Sequence, residues 1–84
     1  MWSVKELNEL ADTLLSVKTR EEMLNFLHGI LTPKEMEEIP TRLQIAKMLK
    51  KQIPQLKIAE KLGVGIATVT RGSKEIQKGR FKYI

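Results

Sequence analysis

Residues 55–71 read Gln55-Leu56-Lys57-Ile58-Ala59-Glu60-Lys61-Leu62-Gly63-Val64-Gly65-Ile66-Ala67-Thr68-Val69-Thr70-Arg71, and their spacing describes two short helices hinged at Gly63. Ile58 and Leu62, four apart, give the first helix an apolar stripe, and Ala59 beside them is too small to hold a crossing helix away. Gly63 suits the corner because a left-handed backbone is nearly free for glycine and costly for a branched side chain. The second helix starts near Gly65 or Ile66 and buries Val69. Its other side carries Ala67, Thr68, Thr70 and Arg71, small or polar groups that reach base edges without clashing, with a guanidinium suited to guanine or phosphate. The pattern predicts a helix-turn-helix whose second helix reads double-stranded DNA.

Charge is divided along the chain in a way that supports this. The net +5 combines residues 1–40, with four bases against eight acids (net −4), and residues 41–84, with eleven bases against two acids (net +9). The basic half holds the helix-turn-helix, where a polyanion gains most and counterion release supplies affinity. At 84 residues a single domain is expected over 1–84. A chain of this size buries only about 60–65% of its unfolded surface, so a partner chain is expected as well. The absence of cysteine excludes disulfides, thiol nucleophiles and cysteine-ligated zinc, and suits a reducing cytoplasm. No stretch approaches the roughly 20 apolar residues of a membrane span, and the start Met1-Trp2-Ser3-Val4-Lys5-Glu6 lacks an export signal's layout. A cytoplasmic protein with no membrane association is therefore expected.

Outward from the helix-turn-helix, every other segment reads as helix, turn or tail. A first helix is expected from Ser3 to about Val17, with Val4, Leu7, Leu10 or Ala11, Leu14 and Val17 on one stripe. Thr19-Arg20-Glu21-Glu22 has the spacing of a capping box, followed by a buried face of Met23, Phe26, Leu27 and Ile30. Thr32-Pro33-Lys34-Glu35 starts a third helix, with a threonine cap and proline at the first helical position. Pro40 lacks an amide hydrogen and disfavours helical geometry at Ile39, so a break is expected there, with a fresh helix capped by Thr41 and running to about Lys51. Gln52-Ile53-Pro54 is the linker into the helix-turn-helix, whose last helix continues to about Ile76. With no strand pattern and no internal repeat, the fold class is all-α, with five to six short helices: N-terminal dimerisation helices in 1–31, core helices in 32–53, the helix-turn-helix in 55–76 and a basic aromatic tail in 77–84.

The run Gly65-Ile66-Ala67-Thr68-Val69-Thr70-Arg71-Gly72-Ser73, with Leu31-Thr32-Pro33 and Thr41-Arg42 upstream, resembles the Trp repressor family of bacterial DNA-binding proteins over roughly residues 19–76. The run from Gly65 to Ser73 is the specific part of the likeness; a helix-turn-helix alone is shared by very many regulators. The resemblance implies an intertwined, all-helical homodimer whose two reading heads enter successive major grooves. In tryptophan-dependent members the amino acid wedges beside the reading head. The motif match places its carboxylate on Arg71, its ring between Arg42 and Arg71, and its amino group at backbone carbonyls around Gly29 to Leu31, next to Thr32, with Gly72 leaving room. Glu75 stands where tryptophan-binding members place a small hydroxyl residue. The Ser16–Glu22 stretch, the Arg42-Leu43-Gln44 run and the ending Phe81-Lys82-Tyr83-Ile84 look like a less characterised Trp-repressor-related branch.

The sequence and the resemblance together give an expected DNA-contacting set of Gln55, Lys57, Gly65, Ile66, Ala67, Thr68, Thr70, Arg71, Ser73 and Lys74. The expected ligand set, for L-tryptophan as corepressor, is Leu31, Thr32, Arg42, Arg71 and Gly72. The expected function is sequence-specific regulation of transcription, as a repressor, by a homodimer on double-stranded DNA. The alternatives are a ligand-independent regulator of the same kind and a helical module docking on an acidic protein. His28 has no second ligand at metal spacing. Phe81 and Tyr83 read as an apolar anchor for the tail, and Trp2 as cover for an apolar edge. Glu21-Glu22 and Glu37-Glu38 point about 100° apart on a helix and form no paired carboxylate site, and no phosphate loop or nucleophile–base pair is present, so no catalysis is expected.

Overall fold

The computed structural model describes all 84 residues. It contains five helices and no strand: α1 (Val4–Ser16), α2 (Arg20–Ile30), α3 (Pro33–Lys50), α4 (Gln55–Leu62) and α5 (Ile66–Gln77). The chain is all-α, as its periodicity predicts. It divides into two compact units, Met1–Met36 and Glu37–Ile84. No helix is long and apolar enough to cross a membrane.

In the first unit each helix start has its own side-chain cap. Ser3 Oγ accepts from the Glu6 amide at 3.2 Å, filling one of the donors a helix start leaves open. At α2 the expected box forms only in part. Thr19 Oγ1 accepts from the Glu22 amide at 3.1 Å, and its own proton goes to Glu22 Oε1 at 3.1 Å, so the carboxylate answers the hydroxyl instead of a backbone amide. The full reciprocal box stands at α3: Glu35 N–H donates to Thr32 Oγ1 at 3.2 Å and Thr32 N–H to Glu35 Oε1 at 2.9 Å.

No residue of α1 or α2 is buried. The α1 stripe read from the sequence separates into two rows. Leu10, Leu14 and Val17 are half-buried, whereas Val4, Leu7 and Ala11 are exposed and form an adjacent row with Leu15, which lay outside that stripe; Val4 is 68%, Leu7 51% and Leu15 83% exposed. Trp2 is 77% exposed and covers no apolar edge, contrary to its sequence reading: it precedes α1 and has no packed helix face to hold it.

The expected break at Pro40 and the new start at Thr41 do not occur. Helix α3 runs unbroken through Pro40. Proline removes one hydrogen bond and crowds the carbonyl four residues back, which kinks or ends a helix when the freed carbonyl has no substitute partner. Pro40 frees the Met36 carbonyl, and residues 37–40 beside it are exposed to water; the Thr41 hydroxyl donates to a different carbonyl, Glu37 O, at 2.9 Å. Continuation leaves one freed carbonyl to solvent, a smaller penalty than opening two new helix ends.

The core of the second unit is Ile45 of α3, Ile58 of α4 and Val69 of α5, all buried, ringed by Met48, Leu49, Ile53, Ala59, Leu62 and Val64. Ala46 is also buried. Gly72 lets α5 approach α3: a Cβ there would stand 3.0 Å from Ile45 Cγ2 and 3.4 Å from Leu49 Cδ1. Three helices of this unit end alike. Gln52, Gly63 and Gly79 have φ of 64°, 66° and 77°, and the following amides reach back five residues, Ile53 to Met48 O, Val64 to Ala59 O and Arg80 to Glu75 O, at 3.0–3.1 Å. These left-handed closures satisfy carbonyls that a helix end would otherwise leave open.

Candidate nucleic-acid interface and adjoining pocket

The turn between α4 and α5 forms as its residues dictate, with Gly63 left-handed and Gly65 extended ahead of Ile66. Burying Val69 fixes the rotation of α5. At 100° per residue, Ala67, Thr68, Arg71 and Lys74 then fall on the arc turned away from Val69, and all four are exposed. Gly65 provides no side-chain cap and the first turn of α5 holds no acid. Its leading amides and positive dipole end are therefore free to meet an anion. Ile66 is exposed at the same end, and Lys57 on α4 is exposed as well.

Three members of the expected DNA-contacting set, Gln55, Thr70 and Ser73, are half-buried and not on this arc. Ser73 is half-buried on the Val69 side of α5. Thr70 is half-buried, its hydroxyl 2.8 Å from Gln55 Oε1 and 3.0 Å from Ile66 O. Gln55 and Thr70 thus join the two helices to one another.

Beside the arc opens a pocket of about 250 Å³ lined by Arg42, Ile45, Thr68, Arg71, Gly72, Glu75, Arg80 and Phe81. Arg42, Arg71 and Gly72 of the expected ligand set come together here. Leu31 closes α2 and Thr32 caps α3, both within the first unit. Arg42 pairs loosely with Glu38 at 3.9 Å, one turn away on its own helix. Glu75 is held by Arg80 Nε at 3.2 Å and Lys78 Nζ at 3.6 Å. Because α5 supplies Thr68 and Arg71 both to the outward arc and to the pocket wall, whatever fills the pocket touches residues of the outward arc.

The Trp repressor protein family matches residues 5–84. The chain belongs to the Trp repressor family. It is 34% identical over 74 residues to the Trp operon repressor homolog of Vibrio campbellii, covering 87% of this chain and 74% of that protein. It is 32% identical over 79 residues to the uncharacterized protein YerC of Bacillus subtilis, covering 94% and 76%. No solved structure matches the chain significantly. The family is one of helical DNA-binding regulators, and the likeness spans both repressor-named relatives and YerC, as the resemblance to a less characterised branch implies.

Within this family frame, the pocket residues that the sequence reading did not assign are Arg80 and Phe81. A signal was present for Arg80. Gly79 is a helix stop placed between Glu75 and Arg80, so a tail turning there returns an opposite charge to the last turn of α5, with the aromatic residue next to it.

Proposed function

We propose that the chain is a sequence-specific, double-stranded DNA-binding transcriptional regulator, acting in the bacterial cytoplasm as a homodimeric repressor, with α5 in the major groove. One observation carries this reading: α5 buries Val69 completely while holding Ala67, Thr68, Arg71 and Lys74 outward, in the half of the chain with net +9. Thr68 and Ala67 are the groups for base edges, and Arg71 and Lys74 serve bases or phosphates. Lys57, together with the amide edge of Gln55 and the open amides at Gly65 and Ile66, would hold the backbone. Thr70 and Ser73 fix the pose of α5 from its inner side.

The homodimer is supported by α1 and α2, which bury none of their residues, and by the exposed row Val4, Leu7, Ala11 and Leu15. Covering such a row removes apolar surface from water at about 25 cal/mol per Å². Residues 1–31 are the proposed dimerisation segment. In vitro selection of duplex sites, with and without L-tryptophan, tests the whole reading. The expected product is a two-fold symmetric consensus with half-sites about 10 base pairs apart. A pool showing no enrichment at moderate salt, alongside retention of an acidic protein, would replace it with an interaction module.

L-tryptophan as corepressor is a second reading, favoured by Arg42, Arg71 and Gly72 lining one pocket. One guanidinium would grip a carboxylate and the other would lie on a ring face. The fit is partial, because Glu75, Arg80 and Phe81 line the same walls. Calorimetric titration of the chain and of Arg71→Ala with L-tryptophan tests it, and absence of heat at millimolar ligand removes it.

A further inference from the structure

Helix α5 ends at Gln77, and Gly79 turns the chain back with φ of 77°. The left-handed backbone at position 79 is what suits the corner to glycine; the nearest atom to an added side chain, Lys82 Cε at 3.0 Å, is the mobile end of a lysine. Beyond it, residue 80 is fastened to the last turns of α5 twice. Its amide donates to Glu75 O at 3.1 Å, and its Nε lies 3.2 Å from Glu75 Oε2. This fastening delivers half-buried Phe81 into the wall it shares with Arg42, Thr68, Arg71 and Gly72.

The groups meeting in the pocket have complementary chemistry. Arg71 has no carboxylate within ion-pair reach, and Arg42 has only Glu38 at 3.9 Å; both arginines are exposed, and a guanidinium plane is a surface on which an aromatic ring stacks. From its own chain the pocket receives a ring (Phe81), a carboxylate (Glu75) and a cation (Arg80). Those are the three functional groups an aromatic amino acid would bring. About 250 Å³ stays open beside them, which is room for a small molecule to compete with the ring.

We infer that Phe81, positioned by the Glu75–Arg80 pair, is a built-in aromatic occupant of the Arg42–Arg71 pocket that braces α5 in its DNA-reading pose, so that the chain holds its operator without a diffusible effector. Phe81 is a positioning residue, acting on DNA through Arg71 and Thr68. The inference rests on the DNA-binding reading of α5.

The test is fluorescence anisotropy on the selected duplex with the full-length chain and its Phe81→Ala, Phe81→Leu and Glu75→Gln variants, each with and without millimolar indole or L-tryptophan. Wild-type affinity should be unchanged by either compound. Phe81→Ala and Glu75→Gln should lose affinity about tenfold, in the range of ordinary couplings between sites, and indole should restore most of the loss in Phe81→Ala. Phe81→Leu keeps apolar bulk, and with it folding, but lacks the ring, so it should lose affinity too; a merely structural anchor would be satisfied by leucine. Wild-type binding that strengthens tenfold with L-tryptophan overturns the inference, and so does Phe81→Leu binding like wild type or a Phe81→Ala loss that indole leaves untouched. Should the wild type select no duplex at all, the DNA reading fails by itself. Amide hydrogen exchange across residues 68–72 then decides the brace: faster exchange in Phe81→Leu, slowed again by indole, supports it, and unchanged exchange sinks it.

Discussion

Thr70 Oγ1 lies 2.8 Å from Gln55 Oε1 and 3.0 Å from Ile66 O, joining the first turn of α4 to α5 through one hydroxyl. A hydroxyl has a single proton, so it cannot donate to both oxygens at once. The arrangement that satisfies every group has Thr70 donating to Ile66 O while the Gln55 amide, rotated by half a turn, donates its N–H to Thr70. The bond spans 15 residues of sequence and fixes the angle at which α5 leaves the core.

Removing it should loosen the reading head as a unit. Thr70→Val keeps the shape and deletes the hydroxyl, and should cost about 1 kcal/mol in urea denaturation, the usual net worth of a neutral hydrogen bond. Gln55→Ala should cost about the same, and the double variant less than their sum by roughly 0.5–1 kcal/mol, since both delete one interaction. Strict additivity would show that the two side chains do not depend on each other.

Gln52 holds φ of 64° at the end of α3, where the chain uses glycine at the corresponding corners 63 and 79. A left-handed backbone costs a residue with a Cβ about 1–2 kcal/mol, partly offset by the greater unfolded-state freedom of glycine. Gln52→Gly should therefore stabilise the chain by about 0.5–1 kcal/mol, and Gly63→Ala should destabilise it by about 1 kcal/mol. Thermal melts of the two variants check the pair, and a drop in Tm for Gln52→Gly would mean that the glutamine side chain makes compensating contacts.

These corners also mark what could be read in the sequence. Gly63, Val69 and the capping threonines announce themselves by residue type and spacing, because local sterics and apolar periodicity decide them. Gln52 does not, since nothing in glutamine signals a left-handed backbone; the closure of α3 on Met48 O imposes it. Pro40 misleads in the opposite sense, its local preference overridden because an unbroken α3 forfeits one hydrogen bond where a break would open two helix ends. The arginines of the pocket were legible through the motif match at Arg42 and Arg71. Phe81 was not, because it reaches the pocket through a turn at Gly79 and an ion pair to Glu75, a tertiary arrangement without periodicity.

The exposed row of α1 gives the assembly its test. Leu15, 83% exposed, would be worth about 1.5–3 kcal/mol if fully covered by a second chain. Leu15→Lys should raise the dimer dissociation constant by at least about ten- to a hundredfold in sedimentation equilibrium, because that much follows from the lost leucine burial and a lysine ammonium must in addition be kept hydrated. An unchanged dissociation constant would place the dimer surface on another face.

The outward arc of α5 separates reading from mere attachment. Thr68 is exposed on the flank of α5 that leads to Arg71, about 100° from Val69, so Thr68→Ala should leave nonspecific affinity intact while reducing discrimination between the selected site and a mismatched one by about 1–3 kcal/mol. Lys57 sits on α4, outside the reading helix, and should act through phosphate charge alone. Lys57→Ala should weaken binding to all duplexes alike and lower the slope of log K against log salt by about one per subunit contact. Competition titrations at two salt concentrations distinguish the two behaviours in one experiment. If Thr68→Ala shifts every duplex equally, the base-reading role belongs to another residue of the arc, and Ala67 and Arg71 are the neighbours to exchange next.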